Sequence, residues 1–99
     1  MFEIEWTEKA ECLYMEALEF WINHNKSATY SKKIVKQVSE KEDYIANNPY
    51  AGQEVFDIPG VRYVVVLRKF LIFYRINNKT IQILSFWDGH KNPQDLELK

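Results

Sequence analysis

Cysteine is nearly missing from this chain: Cys12 is the only one in 99 residues. A disulfide framework and a cysteine-based zinc site are thereby excluded within one copy, and a reducing compartment is favoured. Apolar runs are short. None reaches the roughly 18 residues a membrane-spanning helix needs, so no membrane association is expected. The start, "MFEIEWTEKAE", is acidic and lacks the positive segment followed by an apolar run that marks a secretory signal. Internal repeats and low-complexity tracts are absent as well. A cytoplasmic, soluble protein is expected, with residues 1–99 forming a single domain.

Charge of one sign is scarce in each half. Residues 1–25 carry Glu3, Glu5, Glu8, Glu11, Glu16 and Glu19 against Lys9 alone. Residues 60–91 carry Arg62, Arg68, Lys69, Arg75, Lys79 and Lys91 against Asp88 alone. The basic half suits nucleic acid or an acidic peptide, and equally a solvated strand surface. The net charge of −1 argues against non-specific nucleic-acid binding as the main task.

What is present is apolar and aromatic. The 46% hydrophobic and 15% aromatic content fits a folded globule, which at this size buries roughly two-thirds of the surface of the unfolded chain. Phe2 to Trp6 alternates apolar and acidic residues, the period of a half-buried strand. Thr7 is a natural N-cap, with Glu8 in the first turn where the helix dipole favours negative charge. Ala10, Leu13, Tyr14, Ala17, Leu18 and Trp21 then recur at helical spacing, and "NHNKS" ends that helix. Ser27 is a candidate cap for a second helix, in which Tyr30, Ile34, Val38 and Ile45 form the stripe and Lys41 interrupts it. Asn47-Asn48-Pro49 stops it. Beyond the Pro- and Gly-punctuated segment "PYAGQEVFDIPG", three runs read as strands: "VRYVVVL", "FLIFYRI" and "TIQILSFW". Arg68-Lys69 and Asn77-Asn78-Lys79 separate them, the second being the better turn because asparagine tolerates positive φ. The fold class is α+β, ordered β-α-α-β-β-β, an antiparallel sheet packed against a helical hairpin. Leu13, Leu18, Trp21, Ile34, Val38, Val65, Ile72 and Ile83 are expected in the core.

Order and spacing resemble the RelE/ParE toxin superfamily of type II toxin–antitoxin modules, often called plasmid stabilisation proteins. "NNPYAGQEV" is similar to that family's Pro-x-x-Gly loop, at Pro49 and Gly52. "GVRYVVVLRKFLIFYRI" resembles its central hairpin, and "IQILSFWDGHKNP" its last strand and C-terminal loop. The resemblance implies a cognate antitoxin protein as partner and one of two targets. RelE-like members cut messenger RNA on the ribosome; ParE-like members inhibit DNA gyrase without a hydrolytic site. The strand Val64-Val65-Val66 lacks the lysines of the nucleases, and His90 stands where many members have Arg. The ParE-like mode is therefore favoured over the endoribonuclease. A non-toxic antitoxin-binding module is the third reading.

Metal-free RNA cleavage needs a proton carrier and cations on the phosphate. In this chain that would be His90, the one group of the C-terminal loop that titrates near neutrality. Arg62, Arg68, Lys69, Arg75 and Lys91 are candidate phosphate or target contacts. Trp87 and Phe86 should face opposite sides of the sheet, and an exposed aromatic there would stack on a base or anchor a partner. His24 reads as structural, at the end of the first helix. A two-residue turn at Arg68-Lys69 would set Arg62 opposite Arg75, which calls for an anion nearby. Glu54, Asp57, Asp88, an antitoxin carboxylate and a phosphate are the options. The hairpin strands are apolar on both faces, so an antitoxin segment is expected over the open sheet face or the helices. No metal-ligand spacing is present, and no cofactor is implied.

Overall fold

A computed structural model describes residues 1–89. Its elements are β1 (Glu3–Trp6), α1 (Glu8–Asn25), α2 (Thr29–Asn47), β2 (Gln53–Glu54), β3 (Val61–Val66), β4 (Phe70–Asn77) and β5 (Thr80–Asp88). The strands form one sheet in the order β1-β5-β4-β3-β2. The α+β class and the element order expected from the sequence hold, with two corrections. The segment after α2 contains the two-residue β2, antiparallel to β3. This adds one reversal of chain direction. As a result β1 lies parallel to β5, and the sheet is mixed rather than purely antiparallel.

Helix α1 starts where expected. The Thr7 side chain accepts a hydrogen bond from the Ala10 N–H at 3.1 Å, with Glu8 and Glu11 in the first turn. It ends on Lys26 in the left-handed conformation, whose N–H donates to the Ile22 carbonyl. Ser27 does not cap α2. The N-cap position is Ala28, without a side-chain bond; Ser27 stands one residue earlier, and its Oγ accepts from the N–H of Thr29, the first residue of α2. Ser31 Oγ donates to the Leu18 carbonyl at 2.7 Å and ties the two helices together.

The helices cover one sheet face. Ile34, Val38 and Ile45 of α2 meet Val64, Val66, Phe70, Ile72, Tyr74, Ile81, Ile83 and Phe86 of the sheet, and Leu13, Leu18 and Trp21 of α1 pack on this cluster partly buried. On the other face Val61, Phe73 and Trp87 form a smaller cluster, over which the chain folds its own Val55 and Ile58. Part of the face expected to await a partner is thus covered from within.

Val65 is not core: it is 41% exposed. The cause is the β3–β4 turn, which is one residue longer than expected. Val66 pairs with Phe70, Val64 with Ile72 and Arg62 with Tyr74. Leu67 and Arg68 both adopt positive φ, 53° and 57°, and the Lys69 N–H closes the turn onto the Val66 carbonyl. For side chains with a Cβ this conformation costs about 1–2 kcal/mol per residue. Arg68→Gly is therefore expected to stabilise the protein by about 1 kcal/mol, read as a higher urea midpoint. The next turn behaves as the sequence suggests, with Asn78 taking the positive φ.

A bulge in β5 decides how that strand ends. Phe73 pairs with Ser85 and Tyr74 with Ile83, which leaves Leu84 as the extra residue. Past it the alternation restarts, so Phe86 joins the helix-side cluster and Trp87 the opposite one. This is the division expected for the pair. Ser85 is fully buried, and its Oγ has no hydrogen-bond partner among the described residues. An orphaned hydroxyl costs about 1–3 kcal/mol. Ser85→Ala should raise stability by about 1 kcal/mol; a loss on urea unfolding would mean the hydroxyl has a bond after all.

Candidate interaction site

The cations singled out in the sequence go to different places. Arg62 serves the loop between α2 and β3. Its Nη1 donates to the carbonyls of Tyr50 at 3.1 Å and Gly52 at 2.9 Å, and its Nη2 to Glu54 Oε1 at 3.1 Å. The guanidinium also lies over the Tyr50 ring, 5.3 Å from its centroid. Glu54 is thus the anion that Arg62 was expected to need. That carboxylate is 76% exposed, so the ion pair contributes little and the two carbonyl bonds matter more. Beside it, Tyr74 Oη donates to the Pro49 carbonyl at 2.8 Å and accepts from the Gly52 N–H at 3.0 Å. Burial raises the Tyr74 pKa above its usual 10.0, opposed by the Gly52 hydrogen bond and by Arg62. Pro49 and Gly52 of the Pro-x-x-Gly loop, together with Arg62 of β3 and Tyr74 of β4, form one clamp on one loop.

Arg75 is not part of it. It pairs with Val61 and Gln82, on the sheet face opposite to Arg62. The expected Arg62–Arg75 juxtaposition is corrected by the longer turn: a one-residue shift exchanges the faces of every side chain on one strand relative to the other.

The hairpin tip and the end of β5 come together instead. The Gly89 N–H donates to the Lys69 carbonyl at 2.7 Å, and a Cβ on Gly89 would stand only 2.8 Å from that oxygen. Lys69 extends over α1, its Nζ 3.9 Å from the Trp21 ring centroid. Arg68 is exposed at the tip. The chain leaves the sheet at this point toward His90 and Lys91, both of which lie outside the described residues.

Next to the tip is a cleft of about 270 Å³ whose lining includes Phe20, Trp21, Phe70, Phe86, Glu16 and Asp88. Trp21 meets Tyr30 edge-on at 4.9 Å, and His24 stacks on Phe20 at 5.5 Å. His24 therefore packs on aromatic rings, in keeping with its structural reading. Burial, and then the nearby Asp88 carboxylate, raise the Tyr30 pKa. Phe20 is 56% exposed. Sequence reasoning missed it, although a large apolar residue outside the α1 stripe was the available signal. Among the described residues no group of three or more His, Cys, Asp or Glu side chains is placed to hold a metal ion. No helix among them is long and apolar enough to cross a membrane.

The chain is thus an α+β fold with a mixed sheet on a helical hairpin and a clamped Pro-x-x-Gly loop. Residues 4–93 match the model of the family described as the ParE toxin of the type II toxin–antitoxin system parDE. The chain belongs to this family, and so is the toxin component of a type II module. A solved structure titled as the chromosomal ParDE TA system from P. aeruginosa is similar at 26% identity, with a TM-score of 0.71, over 89% of this chain and 96% of that one. No curated protein matches significantly.

Proposed function

We propose that this toxin acts in the cytoplasm by binding its target, that the target is DNA gyrase, and that a cognate antitoxin holds it inactive. The dispersal of the cations carries this reading. Phosphoryl chemistry without a metal needs cations converging on one phosphate. Here Arg62 is engaged by carbonyls of its own loop, Arg75 lies on the other sheet face, and Lys69 sits over Trp21. A contact surface needs no such convergence. The exposed Phe20, the cleft beside it and the basic tip with Arg68 offer apolar and cationic contacts side by side. His90 and Lys91 follow this end of the sheet in sequence, and they are proposed as target contacts rather than catalysts. Trp87 is 7% exposed and packed with Val61 and Phe73, so its expected role as a target contact is replaced by core packing.

Inducing the chain alone in a bacterial host should arrest growth, and co-expressing the product of the adjoining gene should restore it. Arrest accompanied by lost plasmid supercoiling supports gyrase. Normal growth at full soluble expression would instead support a toxin fold that retains only antitoxin binding.

A further inference from the structure

The outer edge of β3 is only half used. β2 pairs with Arg62 and Tyr63 and goes no further. The Val55 N–H donates to the Val61 carbonyl across this edge. Alternation along a strand then turns the backbone groups of Tyr63 and Val65 to the same side. Among the described residues no strand pairs with Val64, Val65 or Val66 on that side. The usual protections of an edge, such as charges along it, a proline or a covering helix, are missing from these three valines. A cleft of about 240 Å³ lies along the edge, lined by Lys41, Ala51, Gln53, Tyr63, Val64 and Val65. Lys41 is the residue that breaks the apolar stripe of α2. Its ammonium rests 5.6 Å from the Tyr44 ring centroid, and among the described residues it forms no ion pair.

We infer that this edge receives an extended, acidic segment of the antitoxin, which adds a strand beside Val64–Val66 and sets a carboxylate against Lys41. The inference rests on the antitoxin reading above. The backbone of Val65 supplies a donor and an acceptor, its exposed side chain supplies apolar contact, and Lys41 and Arg68 add positive charge nearby. The same charges decide against a second copy of this chain. Antiparallel pairing of two β3 edges would bring two Lys41 and two Arg68 side chains to one short ribbon. The line of β2 also fixes the room available: beyond Gln53 its chain turns away into the Gly52 clamp, leaving the place opposite Val65 open.

The test uses the full chain and the product of the adjoining gene. Val65→Pro removes only an outward N–H, so the β3–β4 ladder keeps its bonds. Lys41→Glu reverses the charge without touching the backbone. Each should weaken antitoxin binding by about tenfold or more, with the circular dichroism of the free toxin unchanged. Amide exchange at Val65 should be fast in the free wild-type chain and protected in the complex. Wild-type affinity in Lys41→Glu, together with an unprotected Val65 amide in a complex that does form, would overturn the edge inference and leave the antitoxin reading standing. No complex with the wild-type chain would overturn both. Concentration-dependent self-association that protects Val65 without the antitoxin would assign the edge to a second copy instead.

Discussion

Gly52→Ala is expected to cost about 3–5 kcal/mol, one of the largest losses from a single methyl in this chain. A Cβ at this position would lie 2.8 Å from Tyr74 Cε1 and 2.9 Å from the Tyr63 carbonyl oxygen. Neither neighbour can yield at low cost. The Tyr74 ring is fully buried in the core, and the Tyr63 carbonyl belongs to the backbone of β3. Any movement that relieves the contact pulls the Gly52 N–H away from Tyr74 Oη and the Gly52 carbonyl away from Arg62. The loop would lose its two anchors together. Urea unfolding of the variant checks this; a change below about 1 kcal/mol would mean the loop has slack that the geometry does not show.

Phe86→Ala should cost about 3–5 kcal/mol as well, for a different reason. Phe86 is 2% exposed. Its ring lies 5.1 Å from both Phe70 and Tyr14, and Tyr14 in turn stacks on Trp6 at 5.0 Å. Truncation removes the middle of a chain of rings joining β1, α1, β4 and β5, and the surrounding strands cannot close the void. Phe56 is the control. It is 101% exposed, and Phe56→Ala should stay within about 0.5 kcal/mol of wild type. Equal losses for the two variants would contradict the assignment of faces in β5.

Much of the architecture is legible in the sequence because it rests on strong periodic signals. The α1 and α2 stripes, the Thr7 cap, the stop at Pro49 and the Asn78 turn all depend on local chemistry. The errors arose where local chemistry is silent. Leu67 and Arg68 carry no turn signature, yet both adopt positive φ. The resulting one-residue shift exposed Val65 and separated Arg62 from Arg75. β2 is two residues long and shows no period, and its added reversal made β1 parallel to β5. The candidate site fared similarly. Arg62 was visible as a residue in need of a counter-charge, and Glu54 was among the candidates. That its main partners are backbone carbonyls depends on how the loop folds back, which no spacing reveals. Lys69 over Trp21 joins residues 48 positions apart, and only the packing of α1 on the hairpin tip brings them together. Lys41 was visible as a break in a stripe, but its meaning depends on the open edge beside it.

On the proposed reading this toxin works by contact with gyrase rather than by cutting RNA. Supercoiling of relaxed plasmid by purified gyrase, with the purified toxin added in increasing amounts, tests it most directly. Dose-dependent inhibition is expected, relieved by the product of the adjoining gene and reduced only modestly by His90→Ala. Unimpaired supercoiling, together with ribosome-dependent cleavage of messenger RNA that His90→Ala abolishes, would contradict it.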